Sequence, residues 1–373
     1  MTAYPLISSD SHVVEPPDLW TARMAGAFKE RAPRVVKEAD CDRWYVDQHL
    51  NAGSYGVLVD AGKRFDAPET IRFEGRFESV PLGGYDPDAH IKDMDVDGVA
   101  IDILYPSVGL RLFRMPDSQL MAATFRAYND WLAEFCAAHP QRLKGFAMVN
   151  VDEVPDGIAE LQRAAQMGLA GAMISVYPRE DRQYDHPMYE PFWAAAQDLD
   201  MPLSLHVATN RPGVGGLTTD TLTSQTAAAR ANTDYWVRMS LANMMFAGVF
   251  ERYPRLQVGA VEHELAWVPF FLSQMDFVYR ERQQQARVRF KDGMQPSDFF
   301  HRNVFLGFQE DGLGIRDRAL IGVDNLMWGS DYPHAESTWP RSRQVLAAIL
   351  EGVPEVEQQK IAGANAARVY RLA

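Results

Sequence analysis

Short apolar runs alternate along the chain with longer amphipathic stretches. The runs are Tyr4–Ser9, Gly98–Tyr105, Leu143–Val149, Ala170–Tyr177, Pro202–Val207, Leu256–Val261, Asn303–Phe308 and Asn325–Trp328. Each has the length of a strand and lacks strict polar alternation, the pattern of strands covered on both faces in a parallel sheet. Helical periodicity marks Asp117–His139, Gly157–Met167, Tyr189–Asp200, Asn232–Tyr253 and Ser342–Leu350 between them. Eight such strands, most followed by a helix, predict an α/β fold of the (β/α)8 TIM-barrel type.

The chain has 373 residues, against about 250 for a minimal barrel. No linker divides it, so residues 1–373 are expected to form a single barrel domain with the surplus in insertions. Three stretches are assigned to these. Residues 13–85, after the first strand, read as irregular. Residues 207–231 follow the fifth strand, and 275–300 read as polar and helical. The first two follow strand C-termini, where barrel enzymes build their sites.

Charge narrows the class. A formal net charge of −13 without a Lys/Arg block argues against nucleic acid and against an anionic membrane surface. No apolar run approaches the ~18 residues of a membrane helix. The start, MTAYPLISSDSH, lacks the basic and apolar regions of a signal peptide, so the cytoplasm is the expected compartment. Cys41 and Cys136 are two isolated thiols, neither a disulfide framework nor a metal motif.

Candidate chemistry lies at the ends of the apolar runs. Of nine histidines, His12, His206, His263 and His334 fall at or just after the first, fifth, sixth and eighth runs; the other five read as surface or packing residues. Asp10 and His12, two apart on a strand, point to one side and offer carboxylate and imidazole to one metal. Glu262-His263-Glu264 sets three ionisable groups after a buried run. Unless the strand bends there, the glutamates and the histidine face opposite ways. Gly329-Ser330-Asp331-Tyr332-Pro333-His334 holds a carboxylate rigidly after the last strand.

The opening SDSHVVEPPDLW and the late MWGSDYPH resemble the amidohydrolase superfamily, in its amidohydrolase-2 branch, and the likeness runs over nearly the whole chain. It implies a distorted (β/α)8 barrel, with long insertions after strands one and five, and a divalent metal at its mouth. It also implies that Asp10, His12, His206 and Asp331 ligate that ion. His263 and Asp331 take the catalytic roles, His263 by its spacing to Trp267 and Pro269. No lysine follows the fourth strand, so a Lys-bridged pair of ions is not expected.

Arg111, Arg114 and Arg211, in loops after the second and fifth strands, offer forks for a substrate carboxylate. Trp20, Tyr105, Tyr177, Phe308 and Trp339 are candidates for an aromatic wall. The reading is a metal-dependent hydrolase or non-oxidative decarboxylase of a cyclic or aromatic carboxylate or related carbonyl compound. It would use one Zn, Mn or Fe ion and a small-molecule substrate, and form a homodimer by analogy with the family. The surplus donors leave an alternative open, a diiron oxygenase with Glu262, His263 and His334 on a second iron. A catalytically inactive, ligand-binding barrel is the remaining reading.

Overall fold

The structure, a computed structural model, describes residues 4–47, 50–211, 227–286 and 288–372. Strands are numbered in chain order. The central sheet holds β1 (Leu6–Val13), β5 (Val99–Pro106), β6 (Leu143–Met148), β7 (Gly171–Ile174), β8 (Leu203–His206), β9 (Val258–Val261), β10 (Val304–Phe308) and β11 (Leu326–Trp328). They lie side by side in that order, and every neighbouring pair is parallel. All eight residues of β1 are buried, as are all four of β7, β8 and β9. Both faces are therefore covered, which is why these strands read as continuous apolar runs. The architecture is the distorted (β/α)8 barrel that the strand count predicts.

The barrel closes without a regular ladder. Asp331 N–H donates to Asp10 O (2.8 Å) and His12 N–H to Tyr332 O (2.6 Å), so the chain just past β11 pairs with β1. Ser8, Ser11 and Ser330 hydroxyls lie 2.8–3.3 Å apart across this seam, and Ser330 N–H donates to Ser8 Oγ at 2.8 Å. Gly329 is required here: a Cβ at this position would lie 2.6 Å from Asp10 Cβ and 2.9 Å from Asp10 N.

The segment 13–85 is more ordered than its sequence suggests. It contains an antiparallel sheet of β2 (Arg34–Lys37), β3 (Asp42–Val46) and β4 (Leu50–Ser54). Trp44 of β3 packs edge-on against Trp20 (ring centroids 5.1 Å apart) and against Tyr55 (5.9 Å). Within 207–231, positions 212–226 lie outside the described residues, as does His49. The stretch read as one helix over 232–253 is two, Asp234–Phe246 and Val249–Arg252, separated at Gly248 with φ 74°. In 275–300 the helix Val268–Glu281 ends and Pro296–Asn303 begins. The second start is fixed by a reciprocal cap between Gln295 and Asp298.

No helix among the described residues is long and apolar enough to cross a membrane. Both cysteines are buried and unpaired. Burial pushes the Cys136 thiol up to about 12 and raises Cys41 as well, which removes the reactive thiolate at neutral pH. Ellman's reagent is expected to titrate neither thiol in the native protein and both after denaturation. One equivalent of fast-reacting thiol in the native state would contradict this burial.

Candidate metal centre and substrate cavity

Asp10 and His12 stand on β1, His206 ends β8, and Asp331 and His334 follow β11. Asp10 is 1 % exposed, and His12, His206 and Asp331 are fully buried. Ligand atoms of Asp10, His12, His206 and Glu262 all lie within 4.8 Å of one another. So do those of His12, Asp331 and His334, and those of Glu262, Asp331 and Glu336.

The tautomers follow from the outer contacts. His12 Nδ1 is 2.9 Å from Pro106 O and His206 Nδ1 is 3.1 Å from Val207 O. A carbonyl can only accept, so each Nδ1 carries the proton and each Nε2 turns a lone pair inward. His12 Nε2 sits 3.1 Å from Asp331 Oδ1 and 3.4 Å from Asp10 Oδ1. His206 Nε2 sits 3.3 Å from Asp10 Oδ1. Yet His12 Nε2, Asp10 Oδ2 and both Asp331 carboxylate oxygens make no aligned hydrogen bond. Buried polar atoms are almost always partnered. Close but misaligned donors and acceptors are what a set aimed at a common point produces, and the mix of two imidazoles and two carboxylates suits a divalent cation.

Electrostatics agree with this arrangement. Burial opposes the Asp331 charge, but proton-bearing His334 and His12 rings outweigh it and hold the carboxyl far below its usual range, a positive charge that a bound cation would supply in place of those protons. Burial likewise opposes the Asp10 charge and is outweighed by His206 and His12. His334 stacks on His12 (centroids 3.9 Å apart) and has Ser107 Oγ 2.9 Å from its Nε2. Burial, with His12 beside it, pushes His334 down to about 4.

The neighbouring residues 262 and 263 part company. Glu262 takes the left-handed conformation, φ 62°, and Glu264 does so as well, φ 54°. Non-glycine residues rarely adopt it, and here it bends the strand end that the sequence left ambiguous. Glu262 turns into the ligand group and lines the cavity. Its carboxyl is pushed up to about 7 by burial and by Asp331. His263 stands apart, with Nδ1 3.0 Å from Thr233 O and Nε2 3.2 Å from Leu205 O. His263, expected as proton carrier or second-ion ligand, does not line the cavity; Glu262 does. Asp331 shares the conformation, φ 59°, which turns its carboxylate back toward β1.

A cavity of about 330 Å³ opens beside this group. Its wall includes Glu262, His334, Ser107, Arg111 and Arg114, so two of the three expected arginines face it. Arg211 does not. It is 3 % exposed, pairs with Asp152 at 2.6 Å and donates to the carbonyls of Phe113 and Met115. Its charge is spent tying down the loop that carries the other two. The aromatic wall is also not formed as expected. Trp20, Tyr105 and Phe308 belong to the core, and neither Tyr177 nor Trp339 lines the cavity.

The sequence reading missed Glu15, a carboxylate three residues beyond His12 in an otherwise apolar stretch. It is fully buried and accepts from Val108 N (2.9 Å) and Gly109 N (2.8 Å), pinning the turn that leads to Arg111. An acid among apolar neighbours was the available signal. Arg43 and Arg230 also reach the cavity, from elements that the sequence did not place near it.

Residues 107–276 and 316–372 match the amidohydrolase family profile. The chain belongs to that amidohydrolase family. It is 27 % identical over 305 residues to the γ-resorcylate decarboxylase of Rhizobium sp. strain MTP-10005, covering 76 % of this chain and 87 % of that one. An amidohydrolase from Mycobacterium avium subsp. paratuberculosis K-10 superposes with a TM-score of 0.80 at 21 % identity, over 99 % of this chain and all of its own. The dihydroxybenzoic acid decarboxylase of Polaromonas sp. JS666, solved with manganese and 2-nitroresorcinol, superposes with a TM-score of 0.64 at 19 % identity. That match covers 99 % and 98 % of the two chains.

Replacing Glu15 with Ala leaves two buried N–H groups without an acceptor, at about 1–3 kcal/mol each. E15A is expected to lose about 2–6 kcal/mol in urea denaturation. A loss below about 1 kcal/mol would show that water or another acceptor replaces the carboxylate.

Proposed function

We propose that the protein is a metal-dependent decarboxylase of a small aromatic carboxylic acid. The observation that carries this reading is the convergence of His12 and His206 Nε2 with Asp10 Oδ2 and the Asp331 carboxylate, next to Glu262 and His334 of an arginine-bearing cavity wall. The names of the relatives agree, as does the manganese in the Polaromonas enzyme.

Asp10, His12, His206 and Asp331 would hold one divalent ion, manganese before zinc or iron. Such an ion supplies a Lewis acid that orients a substrate carboxylate and an adjacent oxygen. The chain's own residues do the rest. The carbonyls of Pro106 and Val207 keep the two imidazoles in the ligating tautomer. Asp331 stays an anion beside His12 and His334. Loss of CO2 breaks the ring-to-carboxyl carbon bond and leaves an electron pair on the ring carbon, which must take a proton. Glu262, on the cavity wall and readily protonated near neutral pH, is placed to deliver it from its carboxyl oxygen. Both His263 nitrogens already face main-chain carbonyls. The cavity volume admits a single substituted ring, within the usual range for small-ligand sites.

The second reading, a two-iron oxygenase, draws on the overlapping donor groups. Glu262 and His334 are more than one ion requires. The relatives named above weigh for decarboxylation.

One set of measurements separates the two. The protein is loaded with Mn(II), Zn(II) or Fe(II), its metal content measured by mass spectrometry, and CO2 release and oxygen uptake followed with 2,6-dihydroxybenzoate and related hydroxybenzoates. The expected result is one ion per chain, CO2 release without oxygen uptake, and at least a tenfold loss of bound metal in H206A, about 1.4 kcal/mol or more. Full metal content in H206A would sink the ligand assignment. Two irons with substrate-dependent oxygen uptake would replace the decarboxylase reading with the oxygenase.

A further inference from the structure

Among the described residues four guanidinium groups reach the cavity, and they are not equivalent. Arg43 is paired with Glu38 (2.8 Å) and Glu74 (2.5 Å). Arg230 is paired with Glu262 (3.5 Å) and with Glu336. Among the described residues, Arg111 and Arg114 have no carboxylate at ion-pair distance. Arg111 Nη1 meets only main-chain oxygens, Ala52 O at 3.1 Å and Ser54 O at 3.5 Å. Arg114 is 7 % exposed and its Nε has no partner at all. Glu15, the acid whose field reaches Arg111, has both oxygens occupied by Val108 N and Gly109 N.

The pair is built into the fold. A Cβ on Gly53 would lie 1.8 Å from Arg111 Nη1, so β4 is notched to admit the guanidinium. Glu15 fixes the turn before it, and Arg211 fixes the main chain at Phe113 and Met115 on either side of Arg114. Burial lowers Arg111 to about 10, and burial with Arg111 beside it lowers Arg114 to about 9. Both remain cations at neutral pH. Two adjacent buried cations with no counter-ion among the described residues are costly. An anion entering the cavity relieves that cost, and the planar fork fits a carboxylate.

We infer that the substrate carries a second carboxylate, which Arg111 and Arg114 bind and which stays on the product. Only the fate of the group at the metal end rests on the decarboxylase reading. The first carboxylate lies by Asp331 and His334, the second by the arginines. Ser107, bonded to His334 and four residues before Arg111, ties the two ends of one cavity together.

Calorimetric titration of the Mn-loaded protein with benzoate and the three benzenedicarboxylates tests this without turnover. At least one dicarboxylate is expected to bind about 10–100-fold more tightly than benzoate, the worth of a charge-assisted pair. That ratio should fall to near one in R114Q and be partly restored in R114K, with circular dichroism confirming the fold. Wild-type affinities for all three within about threefold of benzoate would overturn the inference whether or not R114Q folds. An undiminished ratio in R114Q would overturn it too. If neither hydroxybenzoates nor hydroxy-substituted benzenedicarboxylates are decarboxylated but the ratio holds, the decarboxylase reading falls and the arginine site stands. If CO2 is released equally fast from mono- and dicarboxylates, the reverse follows.

Discussion

The structure depends on the seam where β1 meets the chain just past β11. An open parallel sheet must either leave two edges exposed or close on itself. Here closure runs through two main-chain hydrogen bonds, Asp331 N to Asp10 O and His12 N to Tyr332 O, and a cluster of buried serine hydroxyls. The same bonds set Asp10, His12 and Asp331 side by side. Closure and site assembly are therefore one event, and Gly329 limits both because no Cβ fits beside Asp10. The arrangement buries two carboxylates and two imidazoles in about the space of one ion. Left unneutralised, each buried charge costs several kcal/mol. A bound cation would offset that cost and so couple metal affinity to barrel closure.

Much of this was legible in the sequence, for identifiable reasons. The barrel strands are buried on both faces, so their periodicity is unbroken and their order follows the chain. Asp10, His12, His206 and Asp331 stand out because ionisable residues at the ends of such runs are rare without a partner. What escaped the sequence depends on backbone conformation or on partners distant in the chain. The left-handed turn at Glu262 decides whether it or His263 faces the cavity, and nothing in Glu-His-Glu announces that turn. Arg211 looked like Arg111 and Arg114 until Asp152, 59 residues earlier, took its charge. The sheet of β2–β4 escaped because its strands are short and mixed in character. Asp42, Trp44 and Val46 of β3 do alternate inward, but over five residues only, and Trp44 packs against Trp20 and Tyr55, outside the strand.

The charge on the chain as a whole and the charge on the cavity wall have opposite signs, and the wall governs binding. A net −13 opposes an approaching anion only at long range, and salt screens that field beyond about 8 Å at physiological ionic strength. Inside the cavity the screening water is displaced and the local groups dominate. Arg43 is already neutralised by Glu38 and Glu74, and Arg230 by Glu336, which leaves Arg111 and Arg114 as the cations without a carboxylate partner among the described residues. Glu15 explains how such a pair is tolerated. Its carboxylate lies near enough to favour the Arg111 cation but is committed to two backbone N–H groups, so it stabilises the positive wall without occupying it. The fold thus keeps a cationic surface open to a ligand while holding the carboxylates that would otherwise quench it in place elsewhere.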